Sequence, residues 1–130
     1  MAQIADQVHS KFKVFTGALA PDGTLGALAK EVEAWVASAK VAPRSIGVEF
    51  VEPVSCVFLS VGYRDDEPPY PIKLQSVRIG KIEDVEPASV ARLEAAMAAA
   101  GASVASVICH ELYVTAACEL LMVFMTHQDK

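Results

Sequence analysis

The sequence lacks the motifs that identify many enzymes and nucleic-acid-binding proteins. It has no Walker loop, no nucleophile elbow and no dinucleotide-binding glycine pattern, since Gly80 and Gly101 stand alone. Acidic residues outnumber Lys and Arg, which gives a net charge of -5, and the cations form no cluster. Phosphate binding depends on clustered cations, so we expect no nucleic-acid partner.

Cysteine is also scarce. The three cysteines, Cys56, Cys109 and Cys118, are an odd number without C-x-x-C spacing, which is typical of buried thiols in a reducing compartment. The N-terminal residues carry no secretory signal, and no apolar run approaches the roughly 18 residues that a membrane helix needs. We therefore expect a cytoplasmic protein without membrane association, metal or cofactor.

Charged residues are slightly scarce at 21%, whereas hydrophobic residues make up 53% of the 130-residue chain. That length fits one domain, residues 1–130, with a core of its own. The surplus of apolar residues predicts a further apolar contact, with a second copy of the chain as the expected partner.

The chain does contain an internal repeat. Within residues 103–125, residues 107–125 match residues 45–63 without a gap when the first segment is shifted by 62 positions. Matched pairs include Ile46 with Ile108, Glu49 with Glu111, Cys56 with Cys118, and Leu59 with Leu121. We interpret this as a duplicated unit, with repeats at about 11–66 and 72–127.

Each repeat shows the pattern of a strand, a helix and a β-hairpin. In the first, Lys11–Thr16 alternates as a strand does, an amphipathic helix runs to about Ala39, and a hairpin follows. In the second, a strand from Ile72 precedes a helix that begins near Pro87. We predict an α+β fold, a two-layer sandwich of two βαββ units, with about six strands and two helices on one face. We assign no role to residues 1–10.

The last strand differs between the repeats. Phe58, Ser60 and Gly62 on its off-core side become Leu120, Met122 and Phe124 in the second copy, so that strand is apolar on both faces. Two compatible interpretations follow, a central strand packed above and below and the interface of a homo-oligomer. For the second interpretation, Leu120, Met122 and Phe124 are the predicted interface residues.

Three polar side chains are candidate ligand-binding residues, namely Glu49, His110 and Glu111. His110 shares the side of Ile108 and is expected to point into the core, as a buried histidine with one hydrogen bond or as an interface group. Neighbouring strand residues point to opposite faces, so Cys109, His110 and Glu111 cannot chelate one metal ion. The repeat-equivalent Glu49 and Glu111 are either solvent-facing glutamates or a carboxylate pair.

The segments K-V-F-T, E-V-E-A-W-V, S-I-G-V-E-F and C-V-F-L-S-V-G-Y resemble small bacterial single-unit βαββ proteins, some of them associated with sporulation. That resemblance covers about half of the chain and implies no site. Duplicated β-α-β units are also similar to the tautomerase superfamily, whose chemistry needs an N-terminal proline. No proline precedes Pro21 here, so that activity is not expected.

The sequence assigns no catalytic residue. It favours a non-enzymatic oligomeric binding or accessory module. The alternative is a small-molecule enzyme or ligand-binding domain with a pocket between the repeats or between subunits, lined by Glu49, His110 or Glu111.

Overall fold

The computed structural model describes residues 11–128, which form six strands and two helices. No helix in this part of the chain is long and apolar enough to cross a membrane. In chain order the elements are β1 (Lys11–Gly17), α1 (Ala27–Ala39), β2 (Ala42–Val51), β3 (Cys56–Arg64), β4 (Ile72–Lys81), α2 (Pro87–Ala102), β5 (Val107–Val114) and β6 (Glu119–His127).

The predicted α+β class and the twofold order strand, helix, strand, strand are confirmed. The first three strands form one antiparallel sheet in the order β1-β3-β2, and the last three form a second in the equivalent order β4-β6-β5. In each sheet the last strand of the repeat is central, because it pairs with both others.

Helix α1 follows from the spacing of its apolar residues. Leu28, Val32 and Val36 recur every four positions and are buried as one stripe. The helix begins after Gly26, which has a positive φ of 57°, and ends at Lys40, which has a φ of 55° and donates its N–H to the Val36 carbonyl. The sequence therefore specifies both the buried face and the C-terminal end of this helix.

The two sheets curve around one shared core. Strand β2 lies beside β5, yet α1 packs against both β1 and β4, the strands farthest from that junction. Buried side chains of both sheets and of α1 belong to one cluster, so the inner faces of the two sheets meet in a single core. The sheets must therefore bend towards each other, and α1 closes the gap between their outer edges. The core they enclose contains Phe15, Val57, Leu59, Val61, Tyr113, Leu121, Val123 and Met125, with the buried stripe of α1.

Helix α2 lies on the opposite side of the second sheet. Met122 and Phe124 pack with Ala100 and Met97 of α2 in a separate apolar cluster. The predicted arrangement with two helices on one face is therefore wrong, because α1 covers the inner side of the sheets and α2 the outer side of the second. Since β6 is central and covered on both faces, the structure favours the central-strand interpretation. Within one chain Leu120, Met122 and Phe124 are only 8%, 4% and 3% exposed, which leaves little of these side chains for contact with a second copy, and their role in an oligomer interface stays a prediction.

The hairpins of the two repeats differ in register. Val48 pairs with Leu59, whereas the repeat-equivalent His110 pairs with Phe124, three positions beyond the equivalent Leu121. Because side chains alternate along a strand, an odd shift exchanges the two faces of β5 relative to β6. His110 consequently lies on the outer side and is exposed, so its predicted inward orientation is wrong.

Candidate functional site

Neither α1 nor α2, the helices of residues 11–128, covers the outer side of the first sheet. We call it the open face, defined by the outward positions of β1, β2 and β3. Two of its apolar side chains, Val14 and Phe58, are 55% and 47% exposed. The strand pairing places Val14, Ser60 and Gly47 in one row across the sheet, with Thr16, Phe58 and Glu49 in the next. Phe12, Gly62 and Ser45 form a third row.

A cleft of about 310 Å³ lies in the open face at the junction with the second repeat. Small residues, Gly47 and Ser60, leave room at its centre, and apolar side chains bound it. We call it the seam cleft. Its lining residues are Val14, Gly47, Val48, Glu49, Phe58, Ser60 and Glu111.

Glu111 reaches this cleft from β5 of the second repeat. A Cβ placed on Gly47 would lie 4.0 Å from Glu111 Oε2 and 3.0 Å from Ser60 Oγ. The absence of a side chain at Gly47 therefore lets the carboxylate pass the β2 backbone and reach the open face. Glu111 Oε1 also accepts a hydrogen bond from the N–H of Leu112, at 3.1 Å, which helps to orient the carboxylate.

The open face and its cleft are apolar and acidic. Arg64, at the end of β3, shares the outward parity of Phe58, but its guanidinium donates to both carboxylate oxygens of Asp66, at 2.8 and 2.6 Å. That paired contact lowers the pKa of Asp66, which shows that the arginine charge is engaged locally. Arg64 is therefore engaged with another carboxylate, and no hydrogen bond or ion pair between it and Glu49 or Glu111 is among the described contacts.

Of the three predicted ligand-binding residues, the structure brings two together. Glu49 and Glu111 both line the seam cleft, at the junction of the two repeats. His110 does not join them, because the register shift places it on the outer side of the second sheet. There its ring lies 6.3 Å from that of Phe124.

Two buried ionisable groups lie near the junction of the sheets. Burial raises the pKa of the Cys109 thiol to about 11, so it stays protonated at neutral pH and is a poor nucleophile. Burial also raises the pKa of Tyr113 to about 12, and its hydroxyl donates to the Gly23 carbonyl at 2.8 Å. Both groups therefore serve the packing of the core. Within residues 11–128 no group of three or more His, Cys, Asp or Glu side chains is arranged to hold a metal ion.

A second cavity, of about 240 Å³, lies at the C-terminal end of α1. Tyr70 lines it, and its hydroxyl donates to the carbonyl of Pro43. Lys40 is the only charged residue in its lining, which otherwise consists of Val36, Ala37, Pro69 and Pro71. With one exposed cation and no second polar anchor, this cavity offers less recognition chemistry than the seam cleft.

The apolar part of the site was not predicted from the sequence, although the alternation of residues along the third strand contains a signal for it. Period-two alternation places Phe58 and Ser60 on the off-core side of their strand. The larger apolar Met122 at the position equivalent to Ser60 instead predicted an interaction surface on the second repeat. The copy with the smaller residues is the one whose outer face is covered by neither described helix. No protein family model, curated protein or solved structure gives a significant match to this chain, so its functional assignment rests on the geometry of the open face.

Proposed function

We propose that this protein is a non-enzymatic binding or accessory module that binds another polypeptide through the open face. The partner presents basic side chains among apolar ones. One observation carries this proposal: Glu49 and Glu111, from different repeats, line one cleft beside the exposed Val14 and Phe58. A cytoplasmic location remains part of the proposal and agrees with the free thiols of Cys56, Cys109 and Cys118.

The apolar side chains supply the affinity in this proposal. Burying apolar surface contributes about 25 cal/mol per Å² removed from water, and contiguous exposed apolar side chains often mark interaction surfaces. Val14 and Phe58 belong to neighbouring rows of the open face, so one partner can cover both. The equivalent side of the second sheet is already covered by α2.

The carboxylates favour a basic partner over a second copy of the chain. In a symmetric dimer built on the open face, each copy contributes the same patch, including its own Glu49 and Glu111. Like charges brought together at an interface are unfavourable, whereas Lys or Arg side chains are complementary. The homo-oligomer expected from composition is therefore the competing occupant of this surface.

Acid–base catalysis is less well supported. Catalytic carboxylates generally lie in a desolvated setting, next to a group that tunes them. Glu49 is exposed and Glu111 is only partly buried. The alternative of an enzyme with its site between the repeats would need a substrate that itself excludes water from both.

The proposal is tested with two synthetic peptides of the same length, one of leucine and lysine and one of leucine and glutamate. Each is labelled with fluorescein, and binding is followed by fluorescence anisotropy. We expect the lysine peptide to bind and the glutamate peptide to bind at least about tenfold more weakly. Phe58→Ser should weaken the lysine peptide several-fold, whereas Val90→Ser, at an exposed valine on α2, should not.

Two results would overturn the proposal. One is equal binding of both peptides, or binding that is unaffected by Phe58→Ser. The other is a stable dimer in sedimentation velocity that dissociates in Phe58→Glu without loss of fold, which would assign the open face to a second copy.

A further inference from the structure

We infer that the occupant of the open face is an amphipathic α-helix, lying as α2 lies on the second sheet, with a Lys or Arg side chain in the seam cleft. This inference rests on the proposed function and adds the conformation and orientation of the partner. It specifies a partner whose apolar residues follow a helical period and whose cation lies beside that stripe.

The two sheets are equivalent in topology. Both have the same strand order, and the outer side of the second is packed against a helix of 16 residues. Met97 and Ala100 of that helix cover Met122 and Phe124 of β6. The equivalent positions on β3 are Ser60 and Gly62, which lie on a surface of the same topology without such a helix.

The outer sides of the two sheets differ in the volume of their side chains. Where the second sheet has Met122 and Phe124, the first has Ser60 and Gly62, and Gly47 lies next to Ser60 in the same row. Of these small residues, Gly47 and Ser60 line the seam cleft and form a trough in the open face, with Val14 on one side. A helix can lie in such a trough and supply the large side chains that this sheet lacks, since cores need native packing density.

A partner could add a strand to an edge of the first sheet or pack a helix on its open face. Strand β3 is central, β2 lies beside β5, and β1 is the edge strand of the first sheet. Adding a partner strand requires a free strand edge, whereas a helix needs only the face. The exposed apolar groups are on the face, so the geometry favours a helix over an added strand.

The positions of the acidic side chains indicate where a cation of the partner helix would lie. Glu49 and Glu111 lie on the side of the trough towards the second repeat, and the Phe58 ring pairs across the strands with Glu49. Two carboxylates and an aromatic face are complementary to an ammonium or guanidinium group on an aliphatic stem. A Lys or Arg at the edge of the apolar stripe of the helix satisfies this arrangement.

The test uses two leucine–lysine peptides of identical composition and length. In one the leucines recur with the helical period, and in the other leucine and lysine alternate as in a strand. We expect the helical-period peptide to bind at least about tenfold more tightly in fluorescence anisotropy, and its helical circular dichroism to increase on binding. Equal or tighter binding of the alternating peptide would overturn the helix inference and leave the proposed function intact.

Variants of the protein provide the matched controls. Ser60→Met fills the trough with the side chain found at Met122 and should weaken the helical peptide several-fold, whereas Ala98→Met on the exposed side of α2 should not. Glu49→Gln and Glu111→Gln should each weaken binding about two- to fivefold, as expected for partly exposed ion pairs, and Glu94→Gln on α2 should have no effect. Unchanged affinity in Ser60→Met would place the peptide elsewhere and overturn the inference.

Discussion

Among individual residues, Glu33 shows how a polar side chain can occupy a backbone hydrogen-bonding group at the edge of a sheet. It lies on α1, and its Oε2 accepts a hydrogen bond from the backbone N–H of Leu74 on β4, at 2.8 Å. Its side chain is only 19% exposed, and Lys30 Nζ lies 3.9 Å from its other oxygen. Strand β4 is an edge strand, so this carboxylate occupies the place of a neighbouring strand at that amide and blocks pairing with another chain there.

We expect Glu33→Ala to lower the free energy of unfolding by about 1–3 kcal/mol, because it leaves the Leu74 amide without its partner. Glu31→Ala, on the exposed side of the same helix, is the control and should change stability by less than about 0.5 kcal/mol. Urea denaturation followed by circular dichroism measures both. Equal effects of the two substitutions would show that the Glu33 contact adds no stability.

At the level of elements, the hairpin turns decide which residues face the core. The first hairpin turns through a short 3₁₀ segment, Glu52–Val54, followed by Ser55 with a φ of 50°. The second turns through Cys118, with a φ of 62°, and the Thr115 N–H donates to the Glu119 carbonyl at 2.9 Å. These different turns produce the odd register shift, which places His110 on the outer side of the second sheet and Glu111 on its inner side.

Phe58 of β3 and Phe124 of β6 both lie on the outer side of a central strand, but we expect them to contribute very differently to the free energy of unfolding. Phe124 is 3% exposed beneath α2, so Phe124→Ala should lower the free energy of unfolding by about 3–5 kcal/mol. Phe58 is 47% exposed on the open face, so Phe58→Ala should change it by less than about 1 kcal/mol. Chemical denaturation of both variants is the measurement. A large loss in Phe58→Ala would mean that the open face is covered within the chain.

At the scale of the whole molecule, the repeats share a core and do not fold around separate ones. Leu59 and Val61 of the first repeat lie in the same buried cluster as Leu121 and Val123 of the second. The buried stripe of α1 belongs to this cluster, and α1 closes it against β4. Neither repeat alone can cover its inner sheet face, so each depends on the other for folding.

We therefore expect one cooperative unfolding transition. Trp35, the only tryptophan, reports on the first repeat, since its ring lies 5.7 Å from Phe15 and 5.1 Å from Tyr63. Its fluorescence and the far-ultraviolet circular dichroism of the whole chain should change at the same urea concentration. A fragment of residues 11–66 should remain unfolded under conditions in which the intact chain is folded. Separate transitions would contradict the shared core.

Local patterns in the sequence were sufficient for the elements and their order. The fourfold spacing of Leu28, Val32 and Val36 predicted α1, and period-two alternation predicted the strands of both hairpins, because these signals depend on neighbouring residues alone. The match of residues 45–63 with residues 107–125 predicted that the order of elements occurs twice. Of the site, the sequence identified Glu49 and Glu111 by their equivalence in the repeat.

Tertiary structure decided which faces are covered and which residues meet. A hairpin register depends on turn geometry, and a shift by an odd number of residues moved His110 outward although its sequence equivalent, Val48, faces the core. The side of the sheet on which α2 packs, and the bend that lets α1 touch both β1 and β4, depend on contacts between distant segments. Repeat similarity cannot encode these contacts, because the two copies share a pattern and still occupy different environments. For that reason the open face was found on the copy with Ser60 and Gly62, and the doubly apolar strand β6 proved to be core.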